Sequence, residues 1–378
     1  MRRLRDERGV ALLMVLLVIS LLTAVIVDFS FQTRLDARIA ANVRDDLRAE
    51  TLARSGFAMA LAVLNKDALT EDDSGSPVPG GAAVSDLLNK ARREAAQDTT
   101  ATGQPRAATG VDSLMDSWAR MQYLRVPLGP GESLDVQVTD LTSLIDLNAI
   151  ITTSQGGQPS VNQPVFDEIL MLITAAREAQ KLKKEDAGEE MSPEEIAYAI
   201  ADWVDPDEVR IADGGFEDEY YNSLPDSYSS KNGPFDSVAE LQLVEGVDDA
   251  LYEALRKHLT VVPWTGGGAI NPNTAPPGVL ATIRVRENAA IETPEILTQD
   301  QVSAILAERE KGTVLRSDQE LKEMLDLDAA AVFSPTLVYG SDYFQVDASA
   351  TVNGTLSRLH AVVDRGGEKP SILYWRFD

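Results

Sequence analysis

The chain has 378 residues, with 34 Lys and Arg against 60 Asp and Glu, a formal net charge of −26. A surface of that sign repels phosphate backbones and acidic membrane surfaces, which argues against a nucleic-acid partner. Cysteine is absent, so no disulfide framework exists, and only His258 and His360 are present, which removes most histidine-based catalysis.

Arg2, Arg3, Arg5 and Arg8 precede Gly9, and an almost unbroken apolar run from Val10 to Val27 follows at once. The run is close to the roughly 20 residues that span a hydrocarbon core, and longer than the about 7–15 residues of a secretory signal. Its basic flank keeps the N-terminus cytoplasmic and sends the rest across the membrane. Beyond it, Phe31, Leu35, Ile39, Val43 and Leu47 recur at four-residue spacing, and Leu52, Phe57, Leu61 and Leu64 continue the stripe. The spacing predicts an amphipathic helix contiguous with the span, over residues 10–66.

A short basic leader ending in Gly, then an apolar helix with an amphipathic extension, resembles the head of type IV pilins and type II secretion pseudopilins. The resemblance implies cleavage by the prepilin peptidase between Gly9 and Val10, so residues 1–9 form a removable leader. It also exposes a departure. Pilin-class subunits usually carry Glu at the fifth mature position, where this chain has Met14. A carboxylate in lipid is costly unless paired, and its usual partner is thought to be the subunit above. Met14 therefore points to a subunit with nothing above it.

Residues 67–110 contain "EDDSGSPVPGGAA" and "DTTATGQPRAATG" and read as a flexible low-complexity region. "DSLMDSWARM" then looks helical, "SLDVQVTD" alternates as a strand, and "SLIDLN" continues or pairs with it. The next strand signals come late. "DYFQVDASATV" and "TLSRLHAVVDR" flank Asn353-Gly354, a strong hairpin signal, and "SILYWRF" makes a final strand. The expected fold class is therefore α+β: an antiparallel sheet drawn from residues 111–160 and 336–378, interrupted by an inserted domain at 161–335.

That insert reads as all-α. Ser192 with Glu195, Ser237 with Glu240, Thr298 with Gln301 and Ser317 with Glu320 are four capping-box signals, each followed by apolar residues at helical spacing. Within it, fifteen carboxylates between Glu185 and Asp226 face the single Arg210. Asp205, Asp207, Asp213, Glu217, Asp218 and Glu219 lie in a Gly- and Pro-broken loop, where oxygens can converge. Oxygen-only donors select a hard cation, and a flexible loop favours Ca2+ over Mg2+. An EF-hand is excluded, because Val209 and Arg210 occupy positions that need a ligand and a Gly. The alternative is a solvated acidic loop without an ion.

Several motifs in order give a more specific resemblance. Asp202–Asp207 (DWVDPD), Gly214–Tyr221 (GGFEDEYY) and Asn232–Gly246 (NGPFDSVAELQLVEG) look like the minor pseudopilin K family of type II secretion. Arg8–Leu13 (RGVALL), Ile145–Asn148 (IDLN) and Ile270–Leu280 (INPNTAPPGVL) match further pieces, whereas Phe216 stands where the family often has Ala. The resemblance implies a pseudopilin fold with a large α-domain in its sheet, and Ca2+ in the acidic loop. The ligands it suggests are Asp205, Asp207, Glu217 and Asp218, with Asn232. It further implies a non-enzymatic tip subunit of the pseudopilus, anchored in the bacterial inner membrane lipid with its bulk in the periplasm. Its partners would be the I- and J-type minor pseudopilins and the major pseudopilin.

Two other classes have sequence features in their favour. "ELQLVEGVDDALYEALRKHL" and "LTQDQVSAILAEREKGTVLRSDQELKEML" resemble helix-hairpin-helix repeats, which elsewhere bind DNA. Only Arg256, Lys257 and His258 cluster in the first, and Glu308, Glu310, Glu320 and Glu323 crowd the second, so phosphate contact is disfavoured. A membrane-anchored metal-dependent hydrolase would use the acidic loop, but no nucleophile or histidine partner accompanies it.

Overall fold

The structure is a computed structural model that describes residues 6–69, 110–153, 158–181, 191–262, 268–286, 294–367 and 370–378. The residues read as a low-complexity region therefore lie almost wholly outside it, as do Arg2, Arg3 and Arg5 of the leader.

Helix α1 (Asp6–Leu69) is a single rod of 64 residues. It is unbroken because residues 10–69 contain no proline and one glycine, Gly56. The first half is apolar and exposed, with a window of mean hydropathy 2.8, long and apolar enough to cross a membrane. The second half packs on a sheet. Ala49, Ala53, Phe57, Ala60 and Leu64 are buried on one face of α1. These residues are mostly small, so helix and sheet approach closely. At Gly56 an added Cβ would lie 2.9 Å from both Leu134 Cδ1 and Val136 Cγ2. Gly56→Val is therefore expected to lever α1 off the sheet and cost about 1–3 kcal/mol, read as a lower melting temperature of the full chain in detergent. An unchanged melt would mean that the contact is loose.

The sheet has the order β1 (Leu124–Gly129), β2 (Glu132–Asp140), β10 (Tyr343–Val352), β11 (Thr355–Asp364), β12 (Ser371–Phe377), antiparallel throughout. Its middle is a hairpin whose two turn residues, Asn353 (φ 49°) and Gly354 (φ 91°), adopt the left-handed conformations that a tight two-residue turn requires. Alternate residues Phe344, Val346, Ala348, Ala350 and Val352 are buried, and Phe344 packs edge-on against Trp118, with ring centroids 5.1 Å apart. The N-terminal approach to the sheet, expected as a helix, is a set of turns ending in a 3-10 segment, Ala119–Tyr123.

A second hydrophobic core is drawn from Leu141 to Leu337, joined by Val362 of β11. It is built on helices α2 (Gln163–Lys181), α3 (Pro193–Val204), α4 (Asp218–Ser223), α5 (Asp249–Leu255), α6 (Pro277–Leu280), α7 (Gln299–Glu310) and α8 (Asp318–Met324). Ser192 and Thr298 form the expected capping boxes. The Ser237 box instead starts a 3-10 turn, Val238–Leu243. Ser317 accepts from the Glu320 N–H, while the Glu320 carboxylate takes the N–H of Arg316.

This second core is mainly helical, with three small sheets. These are β3 (Ile145–Asp146) parallel to β6 (Leu259–Thr260), β4 (Ile151–Thr153) with β5 (Pro159–Val161), and β7 (Arg284–Arg286) between β8 (Glu295–Ile296) and β9 (Val332–Ser334). Of these, β3, β4 and most of β5 lie ahead of residue 161, where the insert is expected to begin. Strands of two or three residues are too short to show alternation. One of them changes an expectation: Ile145-Asp146 neither extends β2 nor pairs with it. Asp140 ends β2 by accepting the Thr142 N–H at 2.8 Å, and the chain turns into the second core.

Three of the motifs hold the parts together. Asn148 donates to the carbonyls of Phe235 and Val261 and accepts the Phe235 N–H, joining IDLN to NGPF. Asn273 exchanges two hydrogen bonds with the backbone of Leu315. Asn271 donates to the Asp112 carbonyl and to Ser341, while Ser341 and Thr274 donate to the buried Asp140 carboxylate. Side-chain amides satisfy buried backbone groups that no regular ladder reaches.

Candidate metal centre

Helix α3 stops at Asp205 because Pro206 follows, and the residue before a proline is pushed out of the helical region (Asp205 has ψ 156°). Asp202 and Asp205 are three apart and so share a face at the end of the helix. The chain then folds back on itself. Gly214 (φ 73°) provides the turn, Arg210 N–H reaches the Gly215 carbonyl, and Val209 bridges Phe216. This return brings Glu217 onto the end of α3. One carboxylate oxygen from each of Asp202, Asp205 and Glu217 lies within 4.8 Å of the others, and all three residues are buried.

An aromatic group backs the trio. Trp203 has Tyr221, Phe235 and Tyr228 at 5.6, 6.3 and 6.5 Å between ring centroids. The Gly233 N–H donates to the Trp203 carbonyl, which fixes the last part of the loop against α3.

Burial sets the electrostatics. Removal from water raises Asp202 and Asp205 to about 6 and Glu217 to about 8; repulsion from neighbouring acids, Asp207 among them in each case, adds to the rise. The Ile211 N–H on Asp202 and the Ser230 hydroxyl on Glu217 oppose the rise without cancelling it. Among the described residues, Asp205 Oδ1 and Glu217 Oε1 are buried with no hydrogen-bond partner. Buried carboxylate oxygens are ordinarily satisfied, so these two leave room for a proton, a water or a cation. Three carboxylates with no nitrogen or sulfur donor fit a hard divalent ion such as Ca2+.

Of the residues suggested by the sequence, Asp205 and Glu217 come together in this trio. Asp207, Asp218 and Asn232 lie around it, outside the trio itself. Asp207 Oδ1 takes the Val209 N–H at 2.8 Å, and Asp218 Oδ1 takes the Ser230 N–H at 2.7 Å. Asn232 (φ 47°) donates to the Asp207 carbonyl at 2.6 Å and meets the Ser230 hydroxyl with its own oxygen. These three shape the loop. Asp202 joins the trio, and its three-residue spacing from Asp205 was the available signal. The Gly9–Val10 junction lies within α1, and the surroundings of its side chains are outside the described residues.

Residues 143–264 match the family described as Type II secretion system (T2SS), protein K. Along the whole chain the similarity is to named proteins. The Type II secretion system protein K of Aeromonas hydrophila is 24% identical over 99% of this chain and 98% of its own length. That of Pseudomonas aeruginosa is 25% identical over 96% of this chain and 90% of its own. In fold, the chain resembles a chain of the crystal structure of the GspK-GspI-GspJ complex from enterotoxigenic Escherichia coli Type 2 Secretion System. The TM-score is 0.55 and the identity 19%, over 90% of this chain and 99% of that one. The resemblance read from the motifs is borne out.

Proposed function

We propose that this chain, similar along its length to type II secretion system K proteins, is a non-catalytic minor pseudopilin occupying the tip of the periplasmic pseudopilus. The observation that carries this reading is similarity along nearly the full length of both chains, from the N-terminal rod to the final strands. A single apolar helix in front of a globular body suits an inner-membrane anchor with the bulk in the periplasm. The partners proposed are the I- and J-type minor pseudopilins and, below them, the major pseudopilin. The tip position is supported by Met14 in place of an acid, and by an insert too bulky to admit a subunit stacked above.

Asp202, Asp205 and Glu217 are proposed to hold Ca2+ as a structural ion that neutralises their charge and braces the loop. The trio contains no histidine, and its backing is aromatic side chains, which favours a structural ion over a hydrolytic one. The helix-hairpin-helix-like segments serve as packing, consistent with Arg256 being paired to Glu253.

Two measurements test the assignment. In isolated filaments this protein should be scarce relative to the major pseudopilin and confined to one end. A ratio near one to one, or label along the shaft, contradicts the tip position. Mature protein from the native membrane should begin at Val10, and Gly9→Glu should leave a longer, non-assembling chain. N-terminal sequencing that finds the leader intact in the unsubstituted protein removes the prepilin peptidase from the account.

A further inference from the structure

The hairpin that returns Glu217 to the end of α3 also holds two apolar side chains out of the protein. Val209 and Phe216 face each other across it as an antiparallel bridge. Flanking hydrogen bonds run from the Arg210 N–H to the Gly215 carbonyl at 2.9 Å and from the Glu217 N–H to the Glu208 carbonyl at 3.3 Å. Val209 and Phe216 are therefore a non-hydrogen-bonded pair, whose side chains leave on the same face and lie close together. Phe216 is 71% exposed and Val209 49% exposed. A lone exposed apolar residue is ordinary, whereas a facing pair makes a patch.

The patch is held rigidly. Asp207 Oδ1 accepts the Val209 N–H and Asp213 Oδ1 accepts the Gly215 N–H. The Gly214 N–H closes the turn on the Arg210 carbonyl, and the Ile211 N–H anchors it to Asp202 of α3. Little conformational freedom is left for a partner to remove, which lowers the cost of binding. Ile211 and Tyr220, on either side, pack against the second core, but Val209 and Phe216 do not. Folding therefore does not account for either side chain.

Charge selects the occupant. Asp207, Glu208, Asp213 and Glu219 flank the pair along the chain, and all four are exposed. Residues 185–226 contain one cation, Arg210, and its guanidinium is committed to Glu245. Such a rim repels acidic lipid headgroups and phosphate backbones. Two copies meeting hairpin to hairpin would set the same acids against one another. A polypeptide segment with Lys or Arg on both sides of a large apolar residue matches both features. Its apolar side chain covers Phe216 and Val209, and its cations meet the rim.

We propose that the Val209–Phe216 hairpin is a docking site for a cationic segment of another polypeptide, one in which Lys or Arg brackets a large apolar residue. The site stands on the loop alone and goes beyond the filament role, so its failure leaves that role standing.

The test uses the full chain in non-ionic detergent and a fluorescent, end-capped hexapeptide, Lys-Lys-Leu-Phe-Lys-Lys. Anisotropy should show saturable binding that weakens as salt rises from about 50 to about 500 mM, because an exposed rim of charge is screened. Phe216→Ser should weaken binding about tenfold or more, and Phe216→Leu should recover much of that loss. Val332→Ser, at an apolar residue 52% exposed elsewhere on the insert, should leave binding unchanged. Neither Phe216 variant should move the melting temperature, since the ring is not packed. The peptide Lys-Lys-Gly-Gly-Lys-Lys should bind about tenfold more weakly than the first. Equal binding of the glycine peptide, or full binding to Phe216→Ser, reduces the site to bulk charge and overturns the proposal. Self-association of the chain that Phe216→Ser abolishes gives the patch to a second copy and also overturns it. So does a blue-shifted indole emission from Phe216→Trp in liposomes without peptide, which assigns the patch to lipid.

Discussion

Supplying Ca2+ at a hundredfold excess over its dissociation constant is expected to stabilise the full chain by about 2.7 kcal/mol, the gain that the proposed ion would give by binding the folded trio alone. The gain should depend on pH in a definite direction. Burial raises Asp202 and Asp205 to about 6 and Glu217 to about 8, above the values these groups have in an unfolded chain. Without an ion, the folded state then holds more protons than the unfolded state. The contribution of the trio to stability is complete below about pH 4 and falls as pH rises through 6 and 8. A cation takes the place of those protons, and its binding strengthens as they leave. Melting curves at pH 5 and pH 8.5, with Ca2+ and with chelator, should therefore diverge most at the higher pH. Glu217→Gln separates the site from a general salt effect. It removes the most strongly shifted acid, so it should stabilise the chelated protein at pH 8.5 and erase the response to Ca2+. Identical melting with and without Ca2+ at both pH values would falsify the ion site.

Arg365→Ala is expected to be the most damaging single change outside the two cores, at about 3–5 kcal/mol. Arg365 is almost fully buried where the end of α1, the start of the sheet and the second core meet. It donates to both oxygens of Asp112 at 2.6 and 2.7 Å, to Asp67 at 3.0 Å and to the Ser341 carbonyl at 2.7 Å. Its guanidinium also lies 4.6 Å from the centre of the Phe344 ring. Removing it leaves Asp112 buried without its counter-charge, with Asp67 and Asp116 close by. Burial already raises Asp67 to about 7 and Asp116 to about 6. Arg365→Lys keeps the charge but loses the forked geometry, so it should recover part of the stability. Thermal melts of the full chain in detergent measure both. A loss under about 1 kcal/mol for the alanine variant would mean that the acids simply take up protons and need no cation.

The sequence by itself determined the features whose physics is local. The almost unbroken apolar run of eighteen residues from Val10 to Val27 is long enough to cross a membrane, and four-residue apolar spacing extends the helix beyond it, because helical periodicity is written in consecutive residues. Asn353-Gly354 determined a hairpin in the same way, since only its own backbone angles are at issue. The caps at Ser192 and Thr298 needed only a residue three positions on. In the acidic loop, composition alone pointed to oxygen donors for a hard cation. Tertiary structure decided which acids meet. Glu217 reaches Asp205 only because the chain reverses at Gly214, and Asp202 joins them because α3 ends where it does. It also decided that Ile145-Asp146 pairs with Leu259-Thr260, more than a hundred residues away, and that Arg365 sits between Asp67 and Asp112. Such contacts depend on the burial and direction of elements distant in sequence, so no local pattern records them.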